Sequence, residues 1–192
     1  MVGGIDNDLF RNNWNYKKMK KIFYLIPIIS LIIICTFVLI YILSERSPNK
    51  PPSALLDRDL PIFSSTNLYD NKDYFSNLNL SNKFVLINFF ASWCTPCKLE
   101  HHLFFEIKKE FPNLYLLGIN HKDKEIDAKK YLSEEGNPYS FVTIDPKGNV
   151  AIEFGVFGLP ETFLINDKGK IIFKHIGPIT SEIIYEQIKP LL

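Results

Sequence analysis

The chain has 192 residues, a net charge of +1, and 46% hydrophobic with 14% aromatic side chains. That is ample apolar surface for one compact domain with additional segments, and it excludes a disordered chain. With no run of five like charges, a nucleic-acid or polyanion partner has no support.

The charges are divided by position. Residues 1 to 44 hold five basic and two acidic side chains, whereas residues 45 to 192 hold 17 and 19. From Ile22 to Leu43 there is no charge, and this length crosses a hydrocarbon core of about 30 Å as a helix. Pro27 is tolerable near its start, and Cys35 inside it reads as a small apolar residue. Lys17, Lys18, Lys20 and Lys21 precede the stretch, so the positive-inside bias predicts a cytoplasmic N-terminus and a C-terminal domain on the far side. The stretch exceeds a signal-peptide h-region and no small-x-small site follows Leu43, which favours an uncleaved anchor over a cleaved signal. Met19-Lys20-Lys21-Ile22 has the shape of a natural start before such an anchor. The expected organisation is a cytoplasmic segment 1–21, a transmembrane signal anchor 22–43, a linker 44–59 carrying Pro48, Pro51 and Pro52, and a folded domain 60–192.

Within that domain Leu60-Pro61-Ile62-Phe63 reads as a short strand, and the polar stretch to Asn82 as a hairpin or loop. A strand Phe84–Phe90, a helix from about Thr95 to Phe111 and a strand Leu114–Ile119 then form a βαβ unit, both strands reading as continuously apolar. A helix follows over about Lys124 to Glu135, then a strand Phe141–Ile144 and a turn at Asp145-Pro146-Lys147-Gly148. Strands Thr162–Ile165 and Lys170–His175, joined by Asn166-Asp167-Lys168-Gly169, must be antiparallel. A closing helix starts at Ser181.

Trp93-Cys94-Thr95-Pro96-Cys97 sits where the first long strand gives way to its helix. A cysteine there faces unpaired N–H groups and the positive end of the helix dipole, which favour thiolate, so Cys94 is the expected nucleophile. Cys97 falls on the same face one turn later, within reach of a disulfide. Proline is tolerated in a first turn. The spacing also suits half of a zinc site, whose missing ligands would have to come from His101 and His102, with His121 and His175 more distant.

Cys97, Glu100, Phe104, Ile107 and Phe111 share one helical stripe, so Glu100 lies on an apolar face beside Cys97. A partly buried carboxylate there raises thiol pKa values and can take the Cys97 proton. By opposing thiolate it favours the disulfide and makes the pair a better reductant. Trp93 is placed to shield the nucleophile and to meet a partner. His101 and His102 read as one half-packed and one exposed histidine. In Gly155-Val156-Phe157-Gly158-Leu159-Pro160-Glu161-Thr162, Pro160 belongs at the first position of a strand, where a cis bond fits.

Taken with Gly118-Ile119-Asn120, Lys122-Asp123 and Gly136-Asn137-Pro138-Tyr139, these motifs resemble the thioredoxin family. More narrowly, they resemble the DsbE/CcmG thiol:disulfide interchange proteins of cytochrome c maturation. Pro160-Glu161, where thioredoxins carry Pro-Thr, makes the narrower resemblance specific. It implies an α/β thioredoxin-like fold, a mixed sheet flanked by helices, behind one N-terminal transmembrane helix. Cys94 would attack, Cys97 resolve and cis-Pro160 face the disulfide. Glu100 and Glu161 would supply an acidic environment, and Trp93, Thr95, Pro96 and Leu159 the partner surface. No cofactor beyond the Cys94/Cys97 disulfide is implied. The implied partners are a DsbD/CcdA-like membrane electron donor and apocytochrome c or a CcmH-like maturation protein, at a bacterial inner membrane with the domain in the periplasm. Thr-Pro between the cysteines, where the family often has Pro-Thr, and His102, where it often has proline, depart from the pattern.

Overall fold

The structure is a computed structural model that describes residues 25–40, 56–80 and 82–192. It divides into two units, residues 1–50 and 51–192. In the first, residues 25–40 form a helix (α1) whose side chains are all exposed. Among the described residues no helix is long and apolar enough to cross a membrane. Both ends of the expected anchor, the segment before it and most of the linker lie outside the described residues.

The second unit is built on one seven-stranded mixed sheet, ordered β2-β1-β5-β4-β3-β6-β7. Its strands are β1 (Ser64–Asn67), β2 (Tyr74–Ser76), β3 (Val85–Phe90), β4 (Tyr115–His121), β5 (Phe141–Asp145), β6 (Glu161–Ile165) and β7 (Ile171–Ile176). β3, β4 and β5 run parallel, while β6 and β7 form the expected antiparallel pair on the other flank of β3. The helices are α2 (Thr95–Glu110), α3 (Glu125–Glu134), α4 (Asn149–Glu153) and α5 (Ser181–Ile183), the last running on as a π-helical turn Ile184–Ile188 and a short 3-10 turn.

Alternation along β3 divides the core. Leu86 and Phe90 pack with Phe104 and Ile107 of α2, Leu132 of α3 and Ile188 of the closing helix. Val85, Ile87 and Phe89 face the other way, onto Phe63, Phe75, Val150 of α4 and Phe154 just after it. Side chains of period two can feed both layers only if the sheet is covered on both faces.

Two sequence expectations need correction. Leu60–Phe63 is not a strand: the first strand starts at Ser64. Pro61 has no N–H for a ladder, and Leu60 instead donates to the Gly169 carbonyl at 2.9 Å. This segment closes the edge of β7, with Asp57 donating to the Ile171 carbonyl (2.9 Å) and Ile171 donating to Arg58 (3.0 Å). β3 is also not continuously apolar, because Asn88 is buried in its middle. The five-residue helix α4 was not expected. It is started by Asp145, whose carboxylate accepts the amides of Val150 (3.2 Å) and Ala151 (3.0 Å). Burial works against the Asp145 charge, but the His121 ring and those two amides overcome it and hold the carboxyl below its usual range.

Candidate active site

β3 and α2 are joined by the turn Ala91-Ser92-Trp93-Cys94, closed by the Cys94 amide donating to the Ala91 carbonyl at 3.2 Å. Cys94 is the N-cap of α2, and Thr95 and Pro96 occupy its first turn. The Cys97 amide donates to Cys94 Sγ at 3.2 Å, so the unpaired N–H groups of the helix start face this sulfur rather than that of Cys97. Cys94 and Cys97 are joined as a disulfide with Cα atoms 5.3 Å apart, and both are buried. Trp93 next to them is 60% exposed, its indole N–H donating to the Lys122 carbonyl at 3.1 Å. Thr95 is exposed and Pro96 half-buried.

Glu100 follows Cys97 by one turn and is 2% exposed, in line with Phe104 and Ile107. Its Oε1 accepts from Asn88 Nδ2 at 2.9 Å and its Oε2 from the Ile179 amide at 2.7 Å. Burial pushes the carboxyl up to about 7, against the downward pull of these two hydrogen bonds.

Asn88 extends the network. Its Oδ1 accepts the Tyr139 hydroxyl at 2.8 Å, and Nδ2 also reaches Thr162 Oγ1 at 3.2 Å. Tyr139 lies flat over Gly118, where a Cβ would come within 2.8 Å of the ring. Burial, with the Glu100 charge adding, holds its phenol well above the ordinary range, so it stays a donor. The sequence reading missed Asn88 and Ile179 as partners of Glu100, and Tyr139 as the partner of Asn88. The available signal was Asn88 itself, a polar residue inside a run that otherwise reads as core.

On the other flank, Phe89 pairs with Glu161, so β6 begins where β3 ends and the loop before it lies at the sheet end from which the Cys94 turn departs. The Leu159–Pro160 peptide is cis, and Pro160 immediately precedes the strand. Leu159 is half-buried against both core layers. Glu161 is fully buried; its Oε1 accepts the amides of Phe157 (2.6 Å) and Gly158 (3.3 Å). Its Oε2 lies 3.1 Å from Lys174 Nζ, which also donates to the Gly155 carbonyl at 2.8 Å. Glu161 thus ties down the loop preceding Pro160, with its charge met by a lysine that sequence reasoning did not single out. Phe157 at the loop tip is 88% exposed.

The histidines separate. His101 is buried, donates from Nε2 to the Gly136 carbonyl at 3.0 Å and packs on Phe105 and Tyr131. Burial holds its ring below the usual imidazole range. His102 is exposed. His121 pairs with Asp145 at 3.4 Å, and His175 faces the Pro178 carbonyl at 3.2 Å. Among the described residues no group of three or more His, Cys, Asp or Glu is arranged to hold a metal ion.

A buried disulfide at the start of a helix, a cis-proline at the adjacent strand and a mixed sheet between helical layers make a dithiol exchange site. Known proteins agree. The redoxin family matches residues 57–188. The thiol:disulfide interchange protein DsbE of Pasteurella multocida is 31% identical over 175 residues, covering 90% of this chain and 96% of that protein. HelX, a thiol:disulfide interchange protein of Rhodobacter capsulatus, is 32% identical over 79% of this chain and 85% of its own. The crystal structure of a thiol:disulfide interchange protein of the thioredoxin family from Chlorobium tepidum is 24% identical. It superposes with a TM-score of 0.59, covering 69% of this chain and 94% of that one, which speaks to the fold alone. The chain belongs to the redoxin family and, with the DsbE-type thiol:disulfide interchange proteins, is a thiol-disulfide oxidoreductase.

Proposed function

We propose that this oxidoreductase works as a membrane-anchored reductant in the assembly of c-type cytochromes. The Cys94 thiolate attacks a partner disulfide, forming a mixed disulfide and releasing one partner thiolate. The Cys97 thiol gives up its proton and attacks Cys94 Sγ, closing the Cys94–Cys97 disulfide and releasing the second partner sulfur. Two electrons pass to the partner, and the Cys97 proton passes through Glu100.

The observation that carries this reading is the buried carboxyl of Glu100, one turn beyond Cys97, with a pKa raised to about 7. A group of that pKa is matched to taking and returning a proton near neutral pH. Beside the dithiol it also opposes thiolate, favouring the disulfide and hence the reducing direction. Glu161 contributes by fixing the loop that carries cis-Pro160, and Trp93, Thr95, Pro96 and Leu159 form the surface on which the partner chain rests.

Relatives of the DsbE and HelX type support the finer assignment. The proposed substrate is the CxxCH pair of apocytochrome c or the disulfide of a CcmH-like maturation protein. A DsbD/CcdA-like membrane protein supplies the electrons. The apolar, charge-free stretch 22–43 would anchor the chain in a bacterial inner membrane, with residues 1–21 cytoplasmic, 44–59 a linker and 60–192 the periplasmic domain. The test is genetic and biochemical. Cys94→Ser abolishes c-type cytochrome assembly and Cys97→Ser traps the partner as a mixed disulfide; normal cytochrome levels with Cys94→Ser would refute the assignment.

A further inference from the structure

The turn leading into Cys94 is held from outside by the segment after β4. Asp123 uses both carboxylate oxygens. Oδ2 accepts the Ser92 amide (2.6 Å) and Asn120 Nδ2 (2.9 Å), and Oδ1 accepts the Ser92 hydroxyl (2.9 Å) and the Lys124 amide (2.8 Å). Its neighbour Lys122 has φ of 46°, in the left-handed region that a residue with a Cβ adopts at a cost. Such backbone persists where surrounding contacts over-determine it. Here the Lys122 amide is taken by the Asp145 carbonyl (3.0 Å), and its own carbonyl accepts the Trp93 indole (3.1 Å).

Ser92 and Trp93 are thus gripped by two consecutive residues of another loop, immediately before the attacking sulfur. An exposed tryptophan otherwise turns freely about its side-chain bonds, and Trp93 is exposed yet pinned at its far end. The turn itself has only its one internal hydrogen bond, from Cys94 to Ala91. On its other side Cys94 is held by the start of α2 itself, through the Cys97 amide and, in the oxidised protein, the disulfide; the grip is what holds the Ser92–Trp93 side of the turn.

We infer that Asp123 is a positioning residue of the exchange reaction: with the Lys122 carbonyl it fixes the Ser92–Trp93 turn, and so sets both the thiolate environment of Cys94 and the orientation of the Trp93 platform. This rests on the reading of Cys94 as the attacking sulfur. The geometry makes asparagine a poor replacement. Whichever way the amide is turned, its NH2 group confronts a backbone N–H, that of Ser92 or that of Lys124, and one grip becomes a repulsion.

The test uses the full chain with Trp14→Phe, leaving Trp93 as the single tryptophan. In Asp123→Asn, time-resolved anisotropy of Trp93 gains a fast local component. Loss of the Asp123 charge by itself would lower the Cys94 thiol, so the diagnostic result in the reduced protein is a rise: the pH midpoint for alkylation of Cys94 by iodoacetamide, followed on its own peptide by mass spectrometry, goes up by about one unit, a tenfold slower reaction below both midpoints. Ser92→Ala, which removes only the hydroxyl contact, shifts both in the same direction by less, and keeps the question answerable should Asp123→Asn not fold. If a folded Asp123→Asn, or in its absence Ser92→Ala, melts earlier but keeps the parental anisotropy and midpoint, the contact is a mere staple and the inference is wrong. Neither readout depends on cytochrome assembly. An unchanged assembly phenotype in Cys94→Ser would sink the proposed function and leave this result standing.

Discussion

The Glu100 carboxylate accepts the backbone amide of Ile179 at 2.7 Å, linking the helix of the dithiol to the loop before the closing helix across 79 residues of sequence. Its other oxygen is held by Asn88. The carboxyl beside Cys97 is therefore fixed from two sides by groups that do not titrate, and its pKa is set by burial and geometry together.

The first prediction concerns stability against pH. The Glu100 carboxyl is raised from 4.5 to about 7 in the folded protein, so the folded state binds this proton more tightly than the unfolded chain. Its contribution to stability is present at low pH and lost as pH rises from about 4.5 to about 7, a change on the order of 3 kcal/mol. His101, lowered chiefly by burial, acts in the opposite direction over the upper part of that window. Urea unfolding of the oxidised protein at several pH values, compared with Glu100→Gln, isolates the carboxyl: the variant lacks the fall. Parallel curves for the two proteins would contradict it.

In exchange kinetics the same substitution removes the group proposed to accept the Cys97 proton. Resolution of a mixed disulfide by Glu100→Gln should slow by about a hundredfold, the low end for one positioned acid or base, and its pH profile should lose the inflection near 7. Quenched-flow measurement of mixed-disulfide decay reads both quantities.

Asn88→Ala leaves the Glu100 oxygen and the Tyr139 hydroxyl without their buried partner. Loss of two such contacts should cost about 2–4 kcal/mol of unfolding free energy. Because the Asn88 hydrogen bond pulls the Glu100 carboxyl down, the kinetic inflection should move upward rather than vanish. An inflection that stays put would separate Asn88 from the site.

Lys174 offers a test at the other flank. Lys174→Met leaves the fully buried Glu161 charge uncompensated, and breaking a buried pair in this way should cost about 3–5 kcal/mol. The double variant Lys174→Met/Glu161→Gln should recover a large part of that loss, since no charge then remains unpaired. Thermal unfolding of four proteins, the Glu161→Gln variant and the parent included, gives the comparison, and additive losses would rule out the pair.

The βαβ unit, the terminal hairpin and the dithiol were legible because each follows from short-range rules: apolar runs, turn residues, and a cysteine pair at a strand-to-helix junction. Glu100 was legible for the same reason, since its stripe is read along one helix. Its partners were not. Asn88 and Ile179, and Tyr139 that bonds Asn88, come from three separate segments: the register of β3, β4 and β6 sets Asn88 beside Gly118 and Thr162, and Tyr139 reaches over Gly118 from the residues before β5. β1 was displaced by four residues from its expected place because Ser64-Ser65-Thr66-Asn67 has no apolar alternation; Ser65 is buried by its hydroxyl, which donates to the Ile144 carbonyl at 2.7 Å. Lys174 hid in a strand where a charged residue ordinarily points to water.

The pairing of Asp57 and Arg58 with the first residue of β7 has a consequence for how the sheet meets other chains. Sheet borders recruit foreign strands through their free ladder groups. At one border Ile171 has both its amide and its carbonyl taken by the protein's own chain, and at the other β2 is only three residues long. A foreign strand that approaches β2 or the first residue of β7 therefore finds few ladder groups left to pair with.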